Sequence, residues 1–422
     1  MNITFLVGHL AKERHSLLYE LALDLGEHNN NVTVITGFPS RRITEEVRQY
    51  YLEHPIEQVS NNVKVIRVGS KMGEGKGLFI RMIKYVFLTF DIYREVKKHK
   101  ADAIYIYSTP PFLGLLGSKL SKIAPTLYNA QDLFPDTLIK MKKLSEKNIL
   151  VKLLRKLEKN VYKHNDKIVT ISQDMKKTIT DQGCSKDKVE VIQNWVDIHR
   201  IKKVDRCDNE LFSKFNLDKQ SFYISYAGDI GLFQNWEVIL DAAQELDKEY
   251  NDIKFVIIGN GSYKDSMEKS IKRRELKNTF LFPLQPIELI SSAYSLGDLE
   301  LVSLEKDMTK IALPSKIGQI LAAGSPLLGM FDSDSYISNE IKNSSLGAIV
   351  DSFQKESLIE IIKYYYNNKH ELDDLSNNAR KYAEQQLERK AQTSKYNDLL
   401  KSISKNRTSY IDNIFLQEEK HV

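Results

Sequence analysis

The 422-residue sequence is poor in cysteine, has no long apolar run and shows no clustered histidines. Its two cysteines, Cys184 and Cys207, exclude a disulfide framework and fit a reducing compartment. No apolar run reaches bilayer-spanning length, and the N-terminal "MNITFLVGHL" lacks the basic region and cleavage site of a signal peptide. The nine histidines show no metal-ligand spacing. The sequence therefore predicts a cytoplasmic protein without a bound metal.

The length and composition predict a soluble globular chain of two domains. A chain of 422 residues is too long for one ordinary hydrophobic core. Hydrophobic residues make up 42% of the sequence and charged residues 28%, which excludes a disordered or fibrous protein. The net charge of +5 is mild and gives no indication of a nucleic-acid partner.

Positive charge is concentrated in one segment, residues 140–167. Ten Lys or Arg stand there against three Asp or Glu, and apolar residues recur at helical spacing from Ile149 to Val161. Two interpretations remain open: a solvated helix whose apolar side enters the core, or a helix that contacts a membrane surface. The apolar segment 77–90 favours the second, so a peripheral position on the inner face of the plasma membrane is expected.

Short Val/Ile-rich runs alternate with amphipathic helical stretches, which predicts two doubly wound α/β domains. The predicted strands lie at 3–8, 31–36, 63–68, 102–108, 126–130 and 167–172, and then at 222–228, 253–259, 278–284, 298–304 and 326–330. We expect domains at residues 1–200 and 201–390, followed by a helical tail at 391–422. Ligands of such folds bind at the carboxyl ends of the strands.

Three segments of the second domain suit an anion. "YAGDIG" (226–231) and "IIGNGSYKD" (258–266) follow predicted strands, and their glycines allow a close backbone approach to a ligand. In "ALPSKIGQILAAGSP" (312–326), Pro314 and Ser315 suit a helix start, and Lys316 adds a positive charge there. The alternative for Lys316 is an ordinary solvent-facing lysine.

The motif order "GFP" (37–39), "STPP" (108–111), "QDLFPD" (131–136), "SKDKVEVIQNWVD" (185–197), "YAGDIG", "IIGNGS" and "LPSKIGQILAAGSP" resembles bacterial family-4 glycosyltransferases of the GT-B fold. The subgroup it resembles builds capsule and O-antigen units and includes N-acetyl-fucosamine transferases. The resemblance implies a UDP-sugar donor, retention of the anomeric configuration and no metal or other cofactor. It also implies a polyprenyl-diphosphate-linked saccharide acceptor that enters from the N-terminal domain.

The resemblance also implies roles for individual residues. Lys316, assisted by the amides of residues 228–231, would hold the leaving diphosphate, because the cation that usually follows the first loop is missing from "GLFQNW" (231–236). Gln319 stands where a Glu usually binds the ribose, and binding by Gln319 would lack charge assistance. The predicted nucleotide-sugar contacts are Gly228, Asp229, Gly231, Gly259, Pro283, Leu284, Ser315 and Gln319.

In the first domain, "HLAKER" (9–14) replaces a Gly-Gly loop, so Lys12 and Arg14 are candidates for contacting the acceptor diphosphate. Asp132 matches a position near the transferred sugar and is the second candidate catalytic residue; its alternative is a helix cap. The "DSDS" segment (332–335) is interpreted as a loop.

Two other functions share this fold. A UDP-sugar 2-epimerase would use the same donor and no acceptor. A degenerate, non-catalytic partner subunit would explain Gln319, the missing cation and the lost Gly-Gly loop.

Overall fold

Eight strands form the sheet of the first structural unit in the computed structural model, which describes residues 1–12, 16–39, 43–71, 78–140, 144–351 and 353–418. The sheet order is β3-β4-β2-β1-β5-β6-β7-β8, and only β3 runs antiparallel, against β4. The strands are β1 (Asn2–His9), β2 (Asn31–Gly37), β3 (Ile56–Ser60), β4 (Val63–Val68), β5 (Ala103–Tyr107), β6 (Thr126–Ala130), β7 (Lys167–Thr170) and β8 (Val189–Val191).

Helices connect the parallel strands of this unit. They are α1 (Ser16–Glu27), α2 (Glu45–Glu53), α3 (Leu78–Val96), α4 (Gly117–Leu120), α5 (Asp136–Lys140), α6 (Ile149–His164) and α7 (Gln173–Asp181), with a 3₁₀ segment at Pro111–Leu116. Both α3 and α6 pack against that 3₁₀ segment.

The second unit contains a six-stranded, fully parallel sheet in the order β11-β10-β9-β12-β13-β14. Its strands are β9 (Phe222–Asp229), β10 (Ile253–Asn260), β11 (Thr279–Phe282), β12 (Leu299–Ser303), β13 (Leu327–Met330) and β14 (Gly347–Val350). Buried side chains cover both faces of this sheet. On β9, Tyr223 and Ala227 enter one core cluster, while Phe222, Ile224 and Tyr226 enter the other.

The helices of the second unit are α8 (Glu210–Lys214), α9 (Trp236–Glu249), α10 (Lys264–Arg273), α11 (Ile290–Tyr294), α12 (Lys316–Ala322), α13 (Tyr336–Asn343), α14 (Lys355–Asn367) and α15 (Glu371–Gln386). Arg380 of α15 ties three backbone segments together. Its guanidinium donates to the carbonyls of Ile198, Ile201 and Ala322, the last at the C-terminus of α12. This anchoring fixes the helix that begins with Lys316.

The last helix, α16 (Arg389–Glu418), belongs to the first unit, which comprises residues 1–193 and 390–422; residues 194–389 form the second. Lys390 Nζ lies 2.8 Å from Asp24 Oδ1, and Thr393 Oγ1 donates to Asp24 Oδ2 at 3.0 Å. Asn30 Nδ2 donates to Asn397 Oδ1 at 3.0 Å. The segment expected to be a separate tail is thus packed on the first sheet's unit.

The doubly wound α/β architecture is confirmed, and each of the eleven predicted strands is present. Three strands were not predicted: β3, β8 and β14. The side chains of β3 alternate between exposed and half-buried, as on a sheet edge, and so lack the continuous apolar run of a buried strand. Among the described residues, no helix has the length and apolarity needed to cross a bilayer.

Candidate functional site

The order in which strands are added to the second sheet reverses between β9 and β12. These strands are neighbours in the sheet, yet β10 and β11 lie between them in the chain, on the other side of β9. Loops at the carboxyl ends of two such strands leave a crevice, and ligands of doubly wound folds bind there. Gly228 and Asp229 end β9 at this edge, and α12 begins after β12 with Lys316. The candidate site is therefore built from these segments.

Gly228 and Gly259 allow β9 and β10 to approach closely at the site. Gly228 has φ +141°, in the region that favours glycine. A Cβ added to Gly259 would lie 2.1 Å from the carbonyl oxygen of Gly228. Gly259 is therefore required for strand packing, and this is a sufficient reason for the glycine whether or not it also touches a ligand.

Ile230 and Gly231, the first two residues after β9, use their amides in hydrogen bonds within the protein. Ile230 N donates to the carbonyl of Asn260 at 2.9 Å, and Gly231 N donates to Gln234 Oε1 at 2.8 Å. The carbonyl of Gly231 accepts from Trp236 Nε1 at 2.9 Å. The expectation that all amides of residues 228–231 face an anion is therefore wrong for residues 230 and 231 in this conformation.

The Lys316 ammonium group is buried, although the expected alternative was a solvent-facing lysine. Its Nζ lies 3.4 Å from the centroid of the Tyr226 ring, a cation–π geometry. Nζ donates no hydrogen bond to any described residue. A Cβ on Gly228 would lie 3.8 Å from Lys316 Cδ, so the structure brings these two predicted site residues together. A buried ammonium without an acceptor is suited to receive an anion.

Glu300 is a buried carboxyl in β12, next to Lys316, and the sequence analysis missed it. It accepts hydrogen bonds from Ser225 Oγ and from the Ala227 amide, the latter at 3.0 Å. Burial raises the pKa of Glu300, although the bond from Ser225 and the charge of Lys316 lower it. A carboxylate inside the apolar run "DLELVSL" was the signal that could have identified it.

Burial also lowers the pKa of Lys316, against the opposing charges of Glu300 and Asp229. Loss of solvation disfavours the charged form of each side chain, whereas each charge stabilises the opposite charge on the other side chain. The pair can gain or lose a proton much closer to neutral pH than an isolated lysine or glutamate would. An anion that approaches Nζ would favour the protonated amine.

Two predicted residues of α12 behave differently from expectation. Ser315 precedes the helix as expected for a helix start, but its side chain makes no capping bond to the helix amides. Gln319 Oε1 accepts from Tyr294 Oη at 2.9 Å. The Gln319 amide oxygen, expected to accept from a ribose hydroxyl, thus already accepts from Tyr294. Ribose binding by Gln319 stays a prediction.

The remaining predicted contacts of the second unit lie at the exposed carboxyl ends of strands or just after them. Asp229 is exposed, and Pro283 and Leu284 follow β11 at the same edge of the sheet, where the Pro283 carbonyl accepts from Gln285 Nε2. Asp332 of the "DSDS" segment accepts from the Asp307 amide and from Thr309 Oγ1. This carboxylate organises a loop, and the described residues contain no acidic or histidine cluster that could hold a metal.

In the first unit, Asp132 lies in an apolar cavity of about 320 Å³. Burial raises the pKa of Asp132. It caps no helix, because α5 begins only at Asp136. Lys12 is exposed, and its amide donates to Tyr51 Oη at 3.2 Å; Arg14 lies outside the described residues.

A second carboxyl, Glu158 of α6, lines the same cavity and was also missed by the sequence analysis. Its Oε1 accepts from Tyr162 Oη at 2.7 Å, while no described group donates a well-aligned hydrogen bond to Oε2. Burial raises the pKa of Glu158 to about 8, although the bond from Tyr162 lowers it. Its position on the apolar side of a basic helix was the signal in the sequence.

The two halves of the chain match two protein families. Residues 15–200 match Glycosyltransferase Family 4, and residues 208–382 match Glycosyl transferases group 1. Each match covers most of one structural unit.

Two curated relatives resemble part of the chain. WcaI of Escherichia coli (strain K12), whose name describes a colanic acid biosynthesis glycosyl transferase, is 33% identical over 163 residues, 38% of this chain and 40% of WcaI. WbjE of Pseudomonas aeruginosa, named as a glycosyltransferase, is 27% identical over 216 residues, 51% of this chain and 53% of WbjE. The matched region thus spans about half the length of these relatives.

Solved structures share the fold over nearly the whole chain. Sucrose-phosphate synthase of Thermosynechococcus elongatus superposes with a TM-score of 0.74 at 13% identity, covering 96% of this chain and 99% of that one. HepE of Anabaena, in complex with UDP, gives 0.69 at 14% identity over 95% and 100%. The chain therefore has the GT-B fold and belongs, through its two domains, to the family-4 and group-1 glycosyltransferases.

Proposed function

We propose that the protein is a retaining glycosyltransferase of surface-polysaccharide synthesis that moves a sugar from a UDP-sugar to a polyprenyl-diphosphate-linked saccharide. The donor would be an N-acetylated deoxyhexose or hexosamine. The observation that carries the proposal is Lys316, a buried ammonium beside Gly228 that has no hydrogen-bond acceptor among the described residues. The diphosphate of the donor supplies the oxygens that this group lacks.

The proposed step needs charge stabilisation more than covalent chemistry. As the bond between the anomeric carbon and the β-phosphate oxygen breaks, negative charge collects on the diphosphate, and Lys316 stabilises it. The acceptor hydroxyl forms the new bond from the same face and transfers its proton to the leaving phosphate. No metal is assigned to this step, because the Lys316 ammonium group supplies the positive charge that balances the diphosphate.

Two of the comparisons support the donor and the pathway class. HepE, a structural neighbour, was solved with UDP and with UDP-glucose. WcaI is named for colanic acid biosynthesis, and colanic acid is a polysaccharide. We extend both properties to this chain as part of the proposal; the N-acetyl-fucosamine specificity rests on motif resemblance alone.

Incubation with a panel of UDP-sugars and a lipid-diphosphate-linked saccharide, followed by mass analysis, tests the proposal. We expect one UDP-sugar to yield UDP and an acceptor heavier by one sugar residue. A product isomeric with the donor and formed without acceptor would identify an epimerase instead. Absence of any UDP binding in calorimetric titration would identify a non-catalytic subunit, in line with Gln319.

UDP binding is expected to take up protons above neutral pH. Burial lowers the pKa of Lys316, and an adjacent diphosphate would raise it again, so a proton is bound between the two values. UDP affinity should therefore fall as pH rises from about 7.5 to 9, a range in which the terminal phosphate of UDP, with pKa about 6, is already ionised. Calorimetry in two buffers of different ionisation enthalpy measures the uptake.

The control is Lys316→Met, which should bind UDP weakly and with no proton uptake over this range. Equal uptake by the variant would assign the proton to another group and contradict the role of Lys316.

A further inference from the structure

The cavity that contains Asp132 has a wall made of hydrocarbon. Its apolar lining comes from α3, from the 3₁₀ segment Pro111–Leu116 and from α6, and it includes Tyr85, Phe112, Leu115, Leu154, Leu157 and Val161. Its volume of about 320 Å³ would hold roughly ten non-hydrogen atoms at the ~30 Å³ that each water occupies in the liquid. Such a cavity is too apolar for a sugar alone.

The two helices that line the cavity also expose apolar side chains. On α3, five large apolar residues on one side of the helix are between 42% and 66% exposed: Ile80, Ile83, Val86, Phe87 and Phe90. On α6, Ile149 is 82% exposed and Leu153 is 52% exposed. Exposed apolar residues of this number and on neighbouring elements mark a surface that contacts a partner or a membrane.

The charge of α6 favours a membrane over a protein partner. Lys152, Lys156, Lys159 and Lys163 are exposed at i, i+4, i+7 and i+11, and none forms an ion pair with a described residue. At 100° per residue, Ile149 and Leu153 lie between this lysine stripe and the side of α6 that lines the cavity. A basic stripe beside exposed apolar residues complements anionic lipid headgroups above a hydrocarbon layer.

The two carboxyls indicate that the occupant is amphipathic. Glu158 Oε2 is buried and lacks a well-aligned donor, and Asp132 lines the same cavity. A pure hydrocarbon would leave the buried Glu158 oxygen unsatisfied, whereas an oxygen-rich headgroup attached to a chain would meet both carboxyls. Since burial raises the pKa of both carboxyls, protonated forms can donate to oxygens of that headgroup.

We infer that this cavity binds the polyprenyl chain of the lipid-diphosphate acceptor, about two isoprene units of it, while α3 and α6 rest on the anionic membrane surface. The inference rests on the proposed function, since it names the place of that acceptor's lipid. It also explains how the polyprenyl chain of an acceptor in the bilayer reaches the cavity that contains Asp132.

Filling the cavity should abolish recognition of the acceptor's polyprenyl chain without affecting binding of the UDP-sugar donor. Leu157→Trp places extra bulk inside it, and Leu154→Phe is a milder second variant in case the first fails to fold. Ile123→Trp adds the same bulk at an exposed residue of the same unit, away from the cavity lining, and is the matched control. Thermal unfolding and UDP affinity should be unchanged in the variants that are compared.

The first measurement is photo-crosslinking of the full-length protein to a diazirine-bearing polyprenyl phosphate in anionic vesicles. We expect labelled peptides from residues 109–115 and 150–162 in the parent and in Ile123→Trp, with at least a fivefold loss of label in the cavity variants. Labelled peptides from other regions would assign the lipid to another surface and overturn the inference. Equal competition by dodecyl phosphate against the polyprenyl probe would identify a general acyl site and would also overturn it.

The second measurement separates this inference from the proposed function. With a polyprenyl-linked acceptor, the parent should have a KM at least tenfold lower than with a short-alkyl-linked acceptor of the same saccharide. The cavity variants should lose this preference, with the KM for the polyprenyl-linked acceptor rising to that for the short-alkyl-linked acceptor. Retention of the preference would refute the cavity role. Labelling of the cavity without transfer to either acceptor would refute the proposed function alone.

Discussion

Replacing Lys316 by methionine is expected to lower the rate of sugar transfer by about 10²–10³-fold, the usual loss when one preorganised donor to a developing anion is removed. The reason is the position of its ammonium group, which lies over the Tyr226 ring and beside Gly228 without a hydrogen-bond acceptor among the described residues. Methionine keeps the length and apolar body of the side chain. The measurement is kcat/KM with a saturating lipid-linked acceptor.

The same substitution should leave the fold intact. Burial lowers the pKa of Lys316. Below the unfolded pKa of about 10.4, the charged amine is therefore less favourable in the folded chain than in the unfolded chain. Removing it therefore removes a cost at neutral pH, and Glu300, left without the opposing charge, becomes more readily protonated. We expect the Tm to stay within about 3 °C of the parent, because protonation of Glu300 avoids the uncompensated buried charge that makes the loss of one partner of a buried pair destabilising.

A matched control for this experiment is Lys310→Met. Lys310 stands six residues earlier in the chain, is exposed and pairs with Asp307 at 2.6 Å. Exposed pairs of this kind contribute between about 0 and 1 kcal/mol, so both stability and transfer rate should change little. Transfer by Lys316→Met within threefold of the parent, with normal kinetics in the control, would remove Lys316 from the catalytic role.

The sequence predicted the architecture because buried parallel strands carry a continuous signal. Runs such as those of β4 and β6 are largely buried on both faces, and their predicted bounds match the structure residue for residue. Strand β3 escaped prediction because an edge strand needs only half of its side chains buried. The packing of α16 on the first unit depends on single polar contacts, such as Lys390 with Asp24, over more than 360 positions. Local patterns do not reveal such contacts.

The site was predictable in its loops and not in its electrostatics. Lys316 and Gly228 were identified from short motifs, and the structure brings them together. Glu300 and Tyr226, which decide the charge state and position of Lys316, lie inside strands where sequence patterns suggest only packing. In the same way, Gln319 appeared to be a weakened ribose contact, but its bond to Tyr294 became visible only in three dimensions.

Gly259→Ala is expected to destabilise the second unit by about 3 kcal/mol or more, in the upper range of single substitutions. The added Cβ would lie 2.1 Å from the Gly228 carbonyl oxygen and 3.1 Å from Ile230 Cγ1. The first of these atoms belongs to a backbone that is paired with β10 along eight residues. It can move only if the two strands separate, which also displaces Gly228 from Lys316.

Gly231→Ala provides the matched comparison within the same loop. Its added Cβ would meet no atom closer than 3.5 Å, so we expect a change within about 0.5 kcal/mol. Urea unfolding followed by tryptophan fluorescence is a suitable measurement, because both tryptophans, Trp195 and Trp236, are buried in residues 194–389. The signal thus reports the second unit alone. Equal midpoints for the two variants would show that the strands yield at Gly259, and the glycine would then have to be explained by a ligand rather than by packing.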